Sequence, residues 1–215
     1  NSDVMTTPKM NSLFGGPRRE SETDITQREM DIAASIQAVT EEIVLKMAHH
    51  AHGLTGAKNL TMAGGVALNC VANGRILREG PFDKIWIQPA AGDAGGALGA
   101  ALFTWYELLD HPREVKPEDS QYGSLLGPEF SNDEIRAYLD SADAVYHFYE
   151  NDDELVDQVA ELIASENVVG HFSDRAEFGP RALGCRSILG DGRSLKMQET
   201  MNLKIKFRES FRPFA

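Results

Sequence analysis

Between residues 59 and 109 the chain alternates strand and helix twice, and that rhythm commits the stretch to a sheet layered against helices. Asn59-Leu60-Thr61-Met62-Ala63 reads as a short strand broken by Gly64-Gly65, and Val66 to Leu77 follows as a helix. Lys84-Ile85-Trp86-Ile87-Gln88 is a second strand closed by Pro89. A Gly- and Ala-rich run from Ala90 to Leu102 then leads into a helix that reaches about Leu109. Ahead of this unit, Thr26 and Glu29 have capping-box spacing. Ile32, Ile36, Val39, Ile43 and Met47 follow at steps of three and four, which predicts an amphipathic helix ending near Gly53. The stretch from Asn1 to Glu22, rich in Ser, Gly, Pro and charge, reads as loop.

The apolar period fails from His111 to Pro128, where Pro112, Pro117 and Pro128 fall among charged residues. We place a linker over 111–128, between one domain at 1–110 and another at 129–215; a chain of 215 residues accommodates two small domains. In the second domain Ser131 and Glu134 form another capping box, opening a short helix to Ser141. Ala144 to Tyr149 is β-like, and Asn151 with Glu154 caps a helix carrying Leu155, Val159, Leu162 and Ile163. Val168 to Phe172 reads as a strand, and a final helix is expected between Ser194 and Phe207.

Composition narrows the function classes. With 42% hydrophobic and 25% charged residues the chain can build a core, and its apolar runs are too short to span a bilayer. Twenty-one basic against 33 acidic residues give a formal net charge of −12, which disfavours a grip on nucleic acid or anionic membrane. A local basic pocket for a small anion remains compatible with that total. Cys70 and Cys185 lie far apart without CxxC spacing, which fits a reducing, cytoplasmic setting. The chain opens on Asn1 rather than Met and closes on Phe211-Arg212-Pro213-Phe214-Ala215, so a piece of a longer protein is expected.

Three segments could carry chemistry. In Ala63-Gly64-Gly65-Val66-Ala67-Leu68-Asn69, a strand ends in paired glycines at a helix mouth, where backbone N–H groups can approach an anion; a tight turn with no ligand explains the same residues. In Pro89-Ala90-Ala91-Gly92-Asp93-Ala94-Gly95-Gly96-Ala97-Leu98-Gly99, Asp93 is either the N-cap of a helix or a metal or nucleotide ligand at the carboxyl end of a strand. From Gly99 onward, small residues read as close helix-to-sheet packing. The third segment, Arg175 to Leu189, interleaves Arg175, Arg181 and Arg186 with Gly, Pro and Ser187. Guanidinium groups there suit either bidentate oxyanion binding or surface ion pairs, and Arg208 and Arg212 could join them. His49, His50 and His52 sit at a helix end, where cationic side chains are favoured anyway, and neither cysteine has an adjacent His to activate it.

These segments, in this order, resemble the O-carbamoyltransferases of antibiotic and nodulation-factor biosynthesis. The resemblance is carried by Met30-Asp31-Ile32-Ala33-Ala34-Ser35-Ile36-Gln37, by Ala63 to Gly74, by Gly92 to Ala101, and by Glu177 to Leu189 with Arg208 to Ala215. Its most specific piece is Glu177-Phe178-Gly179-Pro180-Arg181-Ala182-Leu183-Gly184. The resemblance implies an α/β chain: part of a Kae1-like domain with the actin-like, Hsp70-like ATPase fold, then part of a YrdC-like α/β domain. It implies that the YrdC-like part uses ATP to convert carbamoyl phosphate into carbamoyl adenylate. The Kae1-like part would pass the carbamoyl group to a hydroxyl of a small-molecule acceptor, with a divalent metal, usually iron.

Carried over by position, the resemblance makes Asp93 the metal-binding aspartate, and Gly64, Gly65 and Asn69 the nucleotide-contacting turn. Arg181, Arg186 and Ser187 would face carbamoyl phosphate and ATP, Arg181 and Arg186 as catalytic groups, with Arg208 among the phosphate contacts. A metal could polarise the carbamoyl carbonyl and arginines could neutralise phosphate charge. The family's two metal-binding histidines, spaced HxxxH, have no counterpart here; Cys185 replaces a usual asparagine, and Gly190-Asp191-Gly192 a usual Ala-Asp-Pro. A threonylcarbamoyl-adenosine protein acting on tRNA is the alternative, which the net charge disfavours. A non-catalytic nucleotide-binding module is another.

Overall fold

The computed structural model describes residues 6–214. Helix α1, Pro8–Leu13, occupies part of the stretch read as loop: the Thr7 side chain accepts from the Met10 N–H, and Pro8 starts the first turn, where its missing donor costs nothing. Helix α2, Gln27–Thr55, is about 44 Å long by its 29 residues. At its start the Glu29 carboxylate accepts the Thr26 N–H at 3.1 Å, as the capping box predicts. It ends two residues beyond Gly53, because Gly56 takes the left-handed conformation (φ 63°) and donates its N–H to the His52 carbonyl.

The face that α2 buries is not the stripe the periodicity picks out. Ile36 and Met47 are 63% and 64% exposed, and Val39 and Ile43 are about half exposed. The neighbouring face, Gln37, Glu41, Val44, Ala48 and Ala51, turns inward instead. Ala48 packs with Ile76 and Phe82, and Val44, Ala51, Leu60, Met62 and Ile85 close around them. Small side chains let helix α3, Cys70–Glu79, approach α2 closely, and that proximity fixes which face is covered.

Strands β1, Asn59–Met62, and β2, Lys84–Ile87, pair in parallel with Asn59 opposite Lys84 and Met62 opposite Ile87. The crossover expected as one helix from Val66 is two pieces: a single 3-10 turn, Gly65–Leu68, and then α3. Asn69 breaks them apart, taking extended backbone so that its side chain can cap α3 through the Ala72 N–H at 3.1 Å. Helix α4, Asp93–Phe103, follows β2 and runs into a wider turn over Thr104–Leu108.

Residues 111–128 carry little regular structure, yet 121–128 are tied to both sides. The Gln88 and Gln121 amides exchange hydrogen bonds at 2.8 and 3.2 Å, and Phe178 N–H donates to the Ser124 carbonyl at 2.7 Å. Helix α5, Asn132–Ser141, has the predicted Ser131–Glu134 capping box. Helix α6, Asp152–Ala164, is capped by Asn151, which accepts from Asp153 rather than pairing with Glu154. No strand forms over 144–149, since no described segment offers it a partner; Val145 stands almost fully exposed and Phe148 lies under the Arg136 guanidinium. Strands β3, Val169–Phe172, and β4, Arg186–Leu189, pair antiparallel with His171 opposite Ser187. The expected last helix is short: α7 spans Met197–Thr200 and widens into a turn over Met201–Ile205. The architecture is mixed α/β, with helices around two small sheets, and among the described residues no helix is long and apolar enough to cross a membrane.

Candidate active site

Parallel strands present their carboxyl ends together, and here the two loops leaving β1 and β2 are bonded to each other. The Gly64 N–H donates to the Ala91 carbonyl at 2.7 Å, joining the glycine bend to the segment just before Asp93. Gly64 has φ 96°, a backbone conformation that a side chain would strain, so a glycine is needed there. Both glycines are exposed, and no acceptor among the described residues takes the N–H of Gly65 or Val66. Asn69 is engaged differently from the expectation of a free nucleotide contact. Its Oδ1 accepts from Ala72 N–H and from Gln37 Nε2, while its Nδ2 donates to Gln37 Oε1 at 2.8 Å.

Asp93 does not cap α4. Gly92 holds the N-cap position and Asp93 is the first helical residue, exposed, with no hydrogen-bond or ion-pair partner among the described residues. Its carboxylate lies where the helix dipole favours negative charge. Close packing falls at Gly95 rather than at Gly99: a Cβ on Gly95 would stand 2.1 Å from the Ala90 carbonyl oxygen, whereas one on Gly99 would meet nothing within 4 Å. Among the described residues no three His, Cys, Asp or Glu side chains cluster to hold a metal. One carboxylate does not make a stable divalent-metal site, so these residues alone do not fit one.

The third segment reaches the same end of the sheet. Gly179, at φ 125°, lies against the fully buried Ala90, so close that its Cβ would be 3.2 Å from the Ala90 Cβ. The loop is folded around Glu177, which is 3% exposed. One Glu177 carboxylate oxygen accepts the N–H groups of Leu183 at 2.9 Å and Cys185 at 2.7 Å, and the other accepts Arg186 Nε at 2.9 Å. The Arg186 guanidinium, helped by those backbone donors, holds the carboxyl down at about 2.

Arg186 therefore braces the loop instead of standing free for an oxyanion. Arg181, in the middle of the loop, is exposed and has no acidic partner among the described residues. Ser187 sits half-buried on β4. Arg208 donates to the buried Asn202 at 2.6 Å and lies over the Phe214 ring, so its partners are outside the strand-end loops. Sequence reasoning passed over Glu177 and Gln37 as functional residues, although both lie inside the segments it quoted. The signal for Glu177 was an acid two residues before Gly179-Pro180-Arg181, with a second Arg nine residues on. A cavity of about 660 Å³ is lined by Ile188, Leu189, Asp191, Met197 and Phe214 among others, and includes no residue of the Gly64, Asp93 or Gly179 loops.

Residues 1–102 match the family model described as carbamoyltransferase N-terminus, and residues 160–215 match that described as carbamoyltransferase C-terminus. The chain belongs to the carbamoyltransferase family. The glycine bend and Asp93 fall within the first matched region, and the Glu177 loop within the second. An uncharacterised protein of Synechocystis is 59% identical over 214 residues, covering 99% of this chain and 35% of the relative. Nodulation protein NolO of Bradyrhizobium diazoefficiens is 43% identical over 192 residues, 88% of this chain and 34% of its own. Nodulation protein NolNO of Sinorhizobium fredii is 41% identical over 191 residues, covering 88% and 27%. The chain thus spans about a third of the length of these relatives.

Proposed function

We propose that the protein carrying this chain is an ATP-dependent O-carbamoyltransferase. Carbamoyl phosphate, water and ATP give carbamoyl adenylate, with phosphate and pyrophosphate released. A hydroxyl oxygen of a small-molecule acceptor then attacks the carbamoyl carbon, AMP departs with the C–O bonding pair, and the hydroxyl proton is lost. The observation that carries this reading is the meeting of three loops at one end of the parallel pair: Gly64 bonded to Ala91, and Gly179 seated on Ala90. Open N–H groups at Gly65 and Val66 offer donors to phosphate oxygens, and Arg181 offers an unspent guanidinium. Arg186 keeps that loop in shape through Glu177. Asp93 is the residue this chain would contribute toward a divalent metal, with further ligands required from elsewhere.

Carbamoyl-phosphate-dependent exchange of pyrophosphate into ATP, measured on the whole protein, tests the reading. Arg181→Ala should lower that exchange by about 10- to 100-fold, the range for losing a charge-assisted hydrogen bond, with the melting temperature unchanged. No exchange by the wild-type protein, or full exchange by the variant, refutes it.

A further inference from the structure

The reciprocal amide pair between α2 and the glycine turn has no part in the chemistry described above, and it determines how that turn is held. We propose that Gln37 is a positioning residue for nucleotide binding, acting through Asn69; the inference rests on the carbamoyltransferase reading of the same turn. Asn69 stands at the junction where the turn Gly65–Leu68 meets α3, and its N–H donates to the Val66 carbonyl at 2.9 Å, so its conformation bears directly on the part of the turn that carries the open N–H groups of Gly65 and Val66. An asparagine amide can flip end for end. Gln37 removes that freedom by donating to Oδ1 at 3.2 Å and accepting from Nδ2 at 2.8 Å, which keeps Oδ1 on the Ala72 N–H.

Gln37 is itself oriented. Its Nε2 also donates to Glu41 at 2.8 Å, and Glu41 faces Arg75 of α3 at 3.6 Å, which in turn pairs with Glu79 at 3.0 Å. The polar chain runs along the face of α2 that packs on α3. On the other side of the turn, Asn73 Nδ2 donates to the Ala67 carbonyl at 2.7 Å. Asn73 is 7% exposed, and its Oδ1 has no partner among the described residues. The C-terminal half of the turn is thereby held by two amides, Asn69 at the junction and Asn73 from beneath, and of these only Asn69 is bonded to a side chain of another element.

The experiment uses the whole protein and pyrophosphate exchange. Gln37→Met keeps the length of the side chain and removes its hydrogen bonds; Gln37→Ala is the second variant should methionine disturb folding. The expected result is a KM for ATP raised about tenfold, with the KM for carbamoyl phosphate within about twofold of wild type. Combined with Asn69→Ala, the Gln37 substitution should add nothing to the loss caused by Asn69→Ala alone. An unchanged KM for ATP, an equal rise in both KM values, or additive losses overturns the proposal while the carbamoyltransferase reading stands. Absence of exchange in the wild-type protein overturns both.

Discussion

Two glycines one residue apart in sequence, Gly95 and Gly96, give the sharpest contrast for testing the strand-end site. A Cβ on Gly95 would lie 2.1 Å from the Ala90 oxygen and 3.2 Å from its carbonyl carbon, both main-chain atoms that cannot rotate away. Restoring ordinary contact requires a displacement of about 1 Å between α4 and the 89–92 loop. Ala90 is fully buried with Gly179 against it, so the loop cannot retreat inward, and α4 must carry Asp93 outward. Overpacking of this kind costs about 1–3 kcal/mol. On the proposed reading, in which Asp93 contributes to a divalent metal site, a 1 Å misplacement of that group can cost about 100-fold in rate. Gly96→Ala makes the same chemical change where a Cβ meets nothing within 4 Å, and should stabilise by about 0.4–1 kcal/mol through the unfolded chain. Thermal melts and pyrophosphate exchange, run on both variants of the whole protein, read the two effects separately. Wild-type exchange and stability in Gly95→Ala would show that the Ala90 contact does not set the position of Asp93, and the argument would fail.

Glu177 has an ordinary carboxyl value of 4.5 that Arg186 and the loop N–H groups depress to about 2. A depressed folded-state value adds stability above pH 4.5 that is lost as the pH falls from there through 2. Glu177→Gln should therefore melt lower at neutral pH yet show a flatter profile between pH 4.5 and 2; the remaining slope comes from Asp191, held at about 2 by Arg193, and from Glu22, Glu29, Glu42, Asp119 and Glu134, which hydrogen bonds also hold below their ordinary values. Parallel melting profiles for variant and wild type would rule this out. Ile76 is 1% exposed at the centre of the α2–α3–sheet cluster, so Ile76→Ala should cost about 2–5 kcal/mol in denaturant unfolding. Ile43, half exposed on the open stripe of α2, should cost under about 1 kcal/mol when cut to alanine; equal losses at the two positions would mean that the stripe is covered.

Local rules carried the ends of elements and the segments that matter. The capping boxes at Thr26 and Ser131, the turn at Gly64-Gly65 and the alternation of strand with helix are each written within a few residues, because a cap or a left-handed glycine depends only on its own backbone. The family resemblance was likewise legible in short motifs, and the matched family models bear it out. Packing was not legible in the same way. Periodicity shows that α2 is amphipathic, but the face it buries follows from where α3 arrives, which involves residues thirty or more positions away. The β-like segment at 144–149 stays unpaired because a strand needs a neighbour, and sequence alone cannot supply one. The arginines show the division most clearly. Their spacing left oxyanion binding and ion pairing both open, and only the fold gave Arg186 a buried carboxylate and left Arg181 in solvent, since a charge is committed by what surrounds it.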